Sequence, residues 1–290
     1  MKYKKQTYGM IVLTVILAVL LTGCGTKHEQ VAYSEEIVLT NTMVSEAGNI
    51  VSDSKRNTKI IDTEKVEGVI SDNYNSVFDG NIGTQNISMH ILRVGEELTA
   101  SYITQSDADG EINLKGTISI NTASFNLYSE DNDIIFDGTI KPDTSEGELL
   151  EGSFTSSKNA EDKSFTLALS HGIGSTYETR YTLTDASTKD VEEFARKIKS
   201  YVIENDKKSL AELLAYPISV SINGSKVSIY NEEEFEQNYD DIMNAEFKER
   251  VSKSYTKYMF SNYMGITLGY GDIWFDTWKD RGLRIIALNN

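Results

Sequence analysis

Few side chains of this chain carry chemistry, and one of them is set apart by its surroundings. Cys24 is the only cysteine of the 290 residues and follows Leu21-Thr22-Gly23 at the end of an uncharged, mostly apolar segment that begins at Gly9. A thiol is the side chain nucleophilic enough at neutral pH to accept a lipid group, and the small residues Thr22 and Gly23 leave the adjoining peptide bond open to a peptidase. The three histidines, His28, His90 and His171, are scattered. His28 lies in a polar stretch, His90 reads as a surface residue on the outward face of a predicted strand, and His171 falls at a strand end. No histidine follows His171, so the C-terminal part has no histidine-based general base, triad or zinc site of its own.

An acid–base pair built on carboxylate and phenol is the remaining catalytic possibility. Asp272 stands beside Trp274, and Tyr201, Tyr216, Tyr239 and Tyr270 supply hydroxyls. A buried aspartate among apolar rings has a raised pKa and can move a proton. By position, however, Asp272 reads as a turn or strand-end residue and the tyrosines as core. Gly265, Gly269 and Gly271 lack the following Lys-Ser/Thr of a phosphate loop and read as a sheet bend. Asp107, Asp109 and Gly110 match part of a calcium loop, but Gln105 and Gly116 would occupy its first and last ligand positions, so a hairpin turn fits better. No metal or cofactor is expected.

Lys2, Lys4 and Lys5 precede the apolar segment, which is the order of an export signal. Leu21-Thr22-Gly23-Cys24 resembles the lipobox of bacterial lipoproteins. The resemblance implies a signal peptide over residues 1–23, cleavage before Cys24, and a protein held at the extracytoplasmic side of the cell membrane by acyl chains on that residue. The apolar run is shorter than the roughly twenty residues a spanning helix needs. Removal of the three lysines makes a chain of net charge −16 more acidic still. That charge excludes nucleic acid as a partner, because phosphate binding needs a basic footprint. Residues 24–73 are polar, without a sustained period, and read as a tether.

Between Tyr74 and Ser170 the period is two, with turn signals about every ten residues. Eight antiparallel strands are expected, near 74–82, 85–93, 97–105, 111–120, 123–130, 133–141, 148–155 and 163–170. Four contain a glycine flanked by apolar residues, in Phe78-x-Gly80-x-Ile82, Leu114-x-Gly116-x-Ile118, Phe136-x-Gly138-x-Ile140 and Leu150-x-Gly152-x-Phe154. Repeated inward glycines mark strands that bend sharply, as closure into a small barrel requires. The phrases Ile87-Ser88-Met89-His90-Ile91, Leu114-Lys115-Gly116-Thr117-Ile118, Leu150-Glu151-Gly152-Ser153-Phe154 and Ser164-Phe165-Thr166-Leu167 resemble the calycin-like barrels of bacterial envelope proteins, with 74–184 as the domain.

Beyond residue 184 helical and strand periods alternate. Val191, Phe194, Ala195, Ile198 and Tyr201 share a helix face capped by Thr188 or Asp190, Asp206 caps a second helix, and Asn223-Gly224 turns a hairpin. Asn231 with Glu234 starts a helix burying Phe235, Tyr239, Ile242 and Met243, and strands follow at 271–278 and 283–288. The order, with Tyr216-Pro217-Ile218-Ser219-Val220 and Gly269-Tyr270-Gly271-Asp272-Ile273-Trp274-Phe275 among its phrases, resembles the NTF2-like, or cystatin-like, domains over 185–290. The expected fold is thus an all-β eight-stranded antiparallel barrel followed by an α+β cone. The expected role is non-catalytic binding of a small apolar ligand or an envelope protein, with Tyr201, Tyr216, Phe235, Tyr239 and Trp274 at the cone mouth. The alternatives are an isomerase- or dehydratase-type enzyme using Asp272, and an acidic inhibitor or sensor of a basic envelope protein.

Overall fold

Period-two segments joined by tight turns produce a closed sheet in the computed structural model, which describes residues 70–106, 110–143, 147–157, 159–174 and 176–290. The signal segment, Cys24 and the tether up to residue 69 lie outside the described residues, as do Asp107 and Asp109. The barrel strands are β1 (Tyr74–Ile82), β2 (Gln85–Val94), β3 (Glu97–Thr104), β4 (Ile112–Ser119), β5 (Ser124–Tyr128), β6 (Ile134–Asp143), β7 (Gly147–Ser156) and β8 (Asn159–Gly174). They pair antiparallel in chain order, and β8 closes on β1. The interior is filled by side chains, with Phe136 in edge-to-face contact with Tyr102, Phe154 and Phe165. Ile70, assigned by sequence to the tether, is fully buried with this core, and its carbonyl accepts a hydrogen bond from Arg93 Nη1 at 2.6 Å.

The repeated glycines sit where neighbouring backbones nearly touch. A Cβ at Gly80, Gly116 or Gly152 would overlap the carbonyl oxygen of Thr166, Asn126 or Asp137, respectively. Gly138 and Gly152 face each other across β6 and β7. Bare Cα positions therefore let the strands close with little room inside.

The two faces of the barrel wall differ around its circumference. In β4 the pattern is a clean alternation, with Leu114, Gly116 and Ile118 buried and Lys115 and Thr117 exposed. On β1, β2 and β3 the outward residues Val77, His90, Ser101 and Ile103 are buried as well. The reason is that C-terminal elements lie against this wall: Val77, Ile103 and Ile173 form an apolar cluster with Tyr258, joined by Tyr177 and Tyr255. His90 is thus only 3% exposed, which corrects its reading as a surface residue. It points outward as alternation requires, into a covered wall.

The C-terminal part comprises helices and small sheets, and all described residues fall in one compact unit. Helix α1 (Thr188–Glu204) buries Val191, Phe194, Ala195, Ile198 and Val202. Its cap is Ser187, which accepts from the Asp190 amide, so neither Thr188 nor Asp190 serves as expected. Asp206 caps α2 (Lys207–Glu212) through the Ser209 amide at 3.1 Å. Strands β9 (Ile218–Ile222) and β10 (Ser225–Ile229) form the hairpin, with Asn223 and Gly224 both at positive φ. The helix after Asn231 is broken at Asn238 into α3 (Glu232–Gln237) and α4 (Tyr239–Ile242). Helix α5 (Ala245–Ser252) follows, then β11 (Ser261–Asn262), β12 (Gly265–Leu268), β13 (Ile273–Thr277) and β14 (Leu283–Leu288), paired in that order. Strand β12 lies where the glycines suggest a bend, and α5 is not expected from the sequence pattern. Both are short, and α5 buries only Phe247 and Val251.

Because the Gly152 position has a carbonyl in place of free space, Gly152→Val should lower stability by about 3 kcal/mol, or about 6–12 °C in melting midpoint for a protein of this size. A thermal melt followed by circular dichroism tests it, and an unchanged midpoint would contradict the close-approach account of the glycines.

Candidate functional site

The covered side of the barrel carries polar groups that must find partners once water is excluded. Glu111, at the start of β4's approach, is the hub. Its Oε1 accepts from Tyr258 Oη at 2.9 Å and from Tyr177 Oη, while Oε2 pairs with Lys257 Nζ at 2.6 Å. Burial alone would raise the pKa of this carboxyl, but hydrogen bonds from Lys257, Tyr177, Ser101 and Tyr258 outweigh it and hold the group at about 2. Beside it, Arg180 pairs with Glu192 of α1 at 2.5 Å, both side chains buried. The Arg180 guanidinium lies 4.2 Å from the Tyr177 ring centroid, and the same ring stacks on His90 at 4.2 Å. Lys199 of α1 is a further clamp, donating to the carbonyls of Gln105 at 2.6 Å and Ser254 at 2.8 Å.

Tyr258 is held by three contacts from the barrel. Its hydroxyl meets Glu111 and, at 2.8 Å, Ser101, and its carbonyl accepts from His171 Nε2 at 2.8 Å. Its φ is 53°, a left-handed value uncommon for a bulky residue. The strain persists because the surrounding bonds over-determine the residue. Burial, with the nearby charges of Tyr177 and Glu111, pushes its hydroxyl far above the usual tyrosine range.

The tautomer of His90 follows from its neighbour. Asn75 Nδ2 donates to the Gly174 carbonyl at 2.8 Å, so Asn75 Oδ1 is the atom 2.6 Å from His90 Nε2 and must accept from it. Nδ1 is then the bare nitrogen, buried without a partner. Protonating it would place an unsatisfied N–H in the interface near Arg180. Burial first, then Arg180, opposed by Glu111, lowers the His90 pKa from 6.5 to about 4.

Next to this network the barrel wall and the C-terminal elements enclose a cleft of about 850 Å³. The barrel contributes Asp79, Ser88 and His171, and the other side contributes Arg250, Tyr255, Phe260, Tyr270, Asp272 and Trp274. His171, Phe260 and Trp274 form successive perpendicular ring pairs with centroids 5.7 and 6.5 Å apart. Asp272 is 9% exposed, and its Oδ1 accepts from Arg250 Nε at 2.7 Å.

Of the candidate site residues chosen from sequence, Trp274, Asp272 and Tyr270 line this cleft. Phe235 and Tyr239 are buried within the C-terminal core, and Tyr201 and Tyr216 pack partly buried against it, so these four do not meet Trp274 in the cleft. Tyr216 Oη donates to the Ala211 carbonyl at 3.0 Å. Asp79, Glu111, Tyr177, Tyr255 and Tyr258 were not singled out by sequence. The available signal was Val77 and Ile103, apolar residues on faces that a solvated barrel would leave polar. Compared with known proteins, the chain matches no family model, no curated protein and no solved structure.

The network makes stability pH-dependent. Between pH 6.5 and about 4 the unfolded chain binds a proton at His90 that the folded chain lacks, so stability falls as pH drops through that window. Glu111 acts lower down: its stabilisation is present above 4.5 and is lost as pH falls toward about 2. His90→Gln keeps a donor for Asn75 and removes the titration. The fall in melting midpoint from pH 6.5 to 4.5 should therefore be smaller in that variant, and an equal fall would refute the assignment to His90.

Proposed function

We propose that this is a lipid-anchored extracytoplasmic binding protein whose ligand site is the cleft between the barrel wall and the C-terminal elements. The observation that carries the reading is the cleft itself: about 850 Å³, lined by aromatic rings with a few polar groups, within the usual range for small-molecule sites. The barrel is the calycin-like module, but its packed interior leaves the binding role to its outer wall. The C-terminal half is the NTF2-like module. In support, α1 packs Phe194 against Phe275 of β13 at 5.3 Å, and the Leu213–Ala215 segment before β9 hydrogen-bonds to Ile285 of β14. Membrane attachment rests on Cys24 and its preceding residues. Among the described residues no helix is long and apolar enough to cross a membrane.

The catalytic alternative has one observation in its favour, the burial of Asp272 at the same cleft. Against it, Arg250 occupies the Asp272 Oδ1, and no described hydrogen bond joins Asp272 to a tyrosine hydroxyl. Binding without turnover is the better account.

Truncating the largest ring in the cleft tests the site. Trp274→Ala should weaken binding of the neutral apolar fluorophore N-phenyl-1-naphthylamine at least about tenfold, equivalent to about 1.4 kcal/mol, while the protein's melting transition is retained. Equal affinity in the variant would end the cleft assignment. Separately, Cys24→Ala should shift the protein from the membrane to the soluble fraction of expressing cells and abolish incorporation of labelled palmitate; a variant still labelled and sedimenting with membranes would remove the anchor.

A further inference from the structure

The charges lining the cleft do not cancel. Its cations each have a carboxylate: Arg250 has Asp272 at 2.7 Å and Glu246 at 3.2 Å, Lys253 has Glu249 at 2.6 Å, and Lys257 has Glu111 at 2.6 Å. Asp79 has no ion pair among the described residues. Its Oδ1 is buried without a hydrogen-bond partner, and its Oδ2 is reached by Tyr270 Oη at 3.3 Å. A carboxylate can accept about four hydrogen bonds, so this one is under-used. The nearest histidine does not compensate it. His171 donates Nε2–H to the Tyr258 carbonyl, its Nδ1 lies 3.1 Å from Ser170 Oγ, and burial, against the pull of Asp79, lowers its pKa.

The groups around Asp79 are aromatic. Its charge, after the effect of burial, raises the hydroxyl pKa of Tyr255, and the Tyr270 hydroxyl reaches its Oδ2, so both phenols stand within its field. The perpendicular rings of Phe260 and Trp274 continue the same lining. A ring face attracts a cation within about 6 Å of its centroid, most strongly where water is excluded. An unpaired carboxylate among such rings suits a cation that carries its own apolar surface.

We propose that this corner of the cleft binds an organic ammonium group, its charge on Asp79 and its alkyl body against Tyr255, Tyr270, Phe260 and Trp274. The proposal rests on the cleft being a ligand site and adds the class of ligand. A hard metal ion is served poorly, because it needs six or more oxygen ligands, and no three His, Cys, Asp or Glu side chains converge among the described residues. An anionic ligand would meet the unpaired carboxylate. The net charge of −16 also draws cations toward the protein.

Calorimetric titration of the full chain with choline and with 3,3-dimethylbutan-1-ol, in which carbon replaces the charged nitrogen, separates charge from shape. Choline should bind at least about tenfold more tightly at low ionic strength. Asp79→Asn should bring the two affinities together by weakening choline alone. Tyr270→Ala, at a ring 87% exposed and so dispensable for folding, should weaken choline several-fold. Equal affinities in the unaltered protein, a preference that survives Asp79→Asn, or no binding of either compound would each overturn the ammonium assignment. The cleft itself is judged separately by the apolar fluorophore and Trp274→Ala, so failure of the ligand class and failure of the site are distinguishable.

Discussion

The partly buried carboxylate of Glu111 is the constraint on which the arrangement of the two halves depends. A charge removed from water must be paired and hydrogen-bonded or it destabilises the fold by several kcal/mol. Here the barrel supplies the carboxylate and the C-terminal part supplies Lys257 and Tyr258, while the connecting segment supplies Tyr177. Three stretches far apart in sequence are thereby drawn to one point on the outer wall. Arg180 with Glu192, and Lys199 on two carbonyls, repeat the same logic on either side. The apolar contacts of Val77, Ile103 and Ile173 add burial to the interface without dictating its register.

This junction shapes the cleft because Tyr258 belongs to both. Its hydroxyl is tied into the network and its carbonyl to His171, so the segment that follows leaves the barrel in a fixed direction. Tyr255 and Phe260, three residues before and two after, are set into the lining by that one strained residue. Neither half alone would build the site. The barrel brings Asp79 and His171, but the rings that would surround a ligand come from the other side.

How much of this could be read from sequence differs by element. All eight barrel strands were legible, because alternation, turns and the repeated Gly80, Gly116, Gly138 and Gly152 pattern each report on local geometry. The C-terminal caps at Asp206 and Asn231 and the Asn223-Gly224 turn were legible for the same reason. The site was not. Alternation tells which way His90 points, but not whether anything lies over it. Aromatic type likewise does not separate a core ring from a lining ring: Phe235 and Tyr239 fill the interior, whereas Trp274 and Tyr270 reach the cleft. Residues 255–260 have no period at all, yet they carry the contacts that join the halves.

The fate of the hydroxyls also bears on the binding role proposed for the cleft. A tyrosine that works with an aspartate in acid–base chemistry must present its proton to the substrate. Tyr177 and Tyr258 direct theirs to Glu111, Tyr181 directs its own toward Glu192, and Tyr270 reaches Asp79. Of the two carboxylates lining the cleft, Asp272 is committed to Arg250 at 2.7 Å. Asp79 keeps its Oδ1 buried without a partner, and the Tyr270 hydroxyl reaches its Oδ2 at 3.3 Å. Such an arrangement offers fixed charge and aromatic surface, which select a ligand by its own charge and shape.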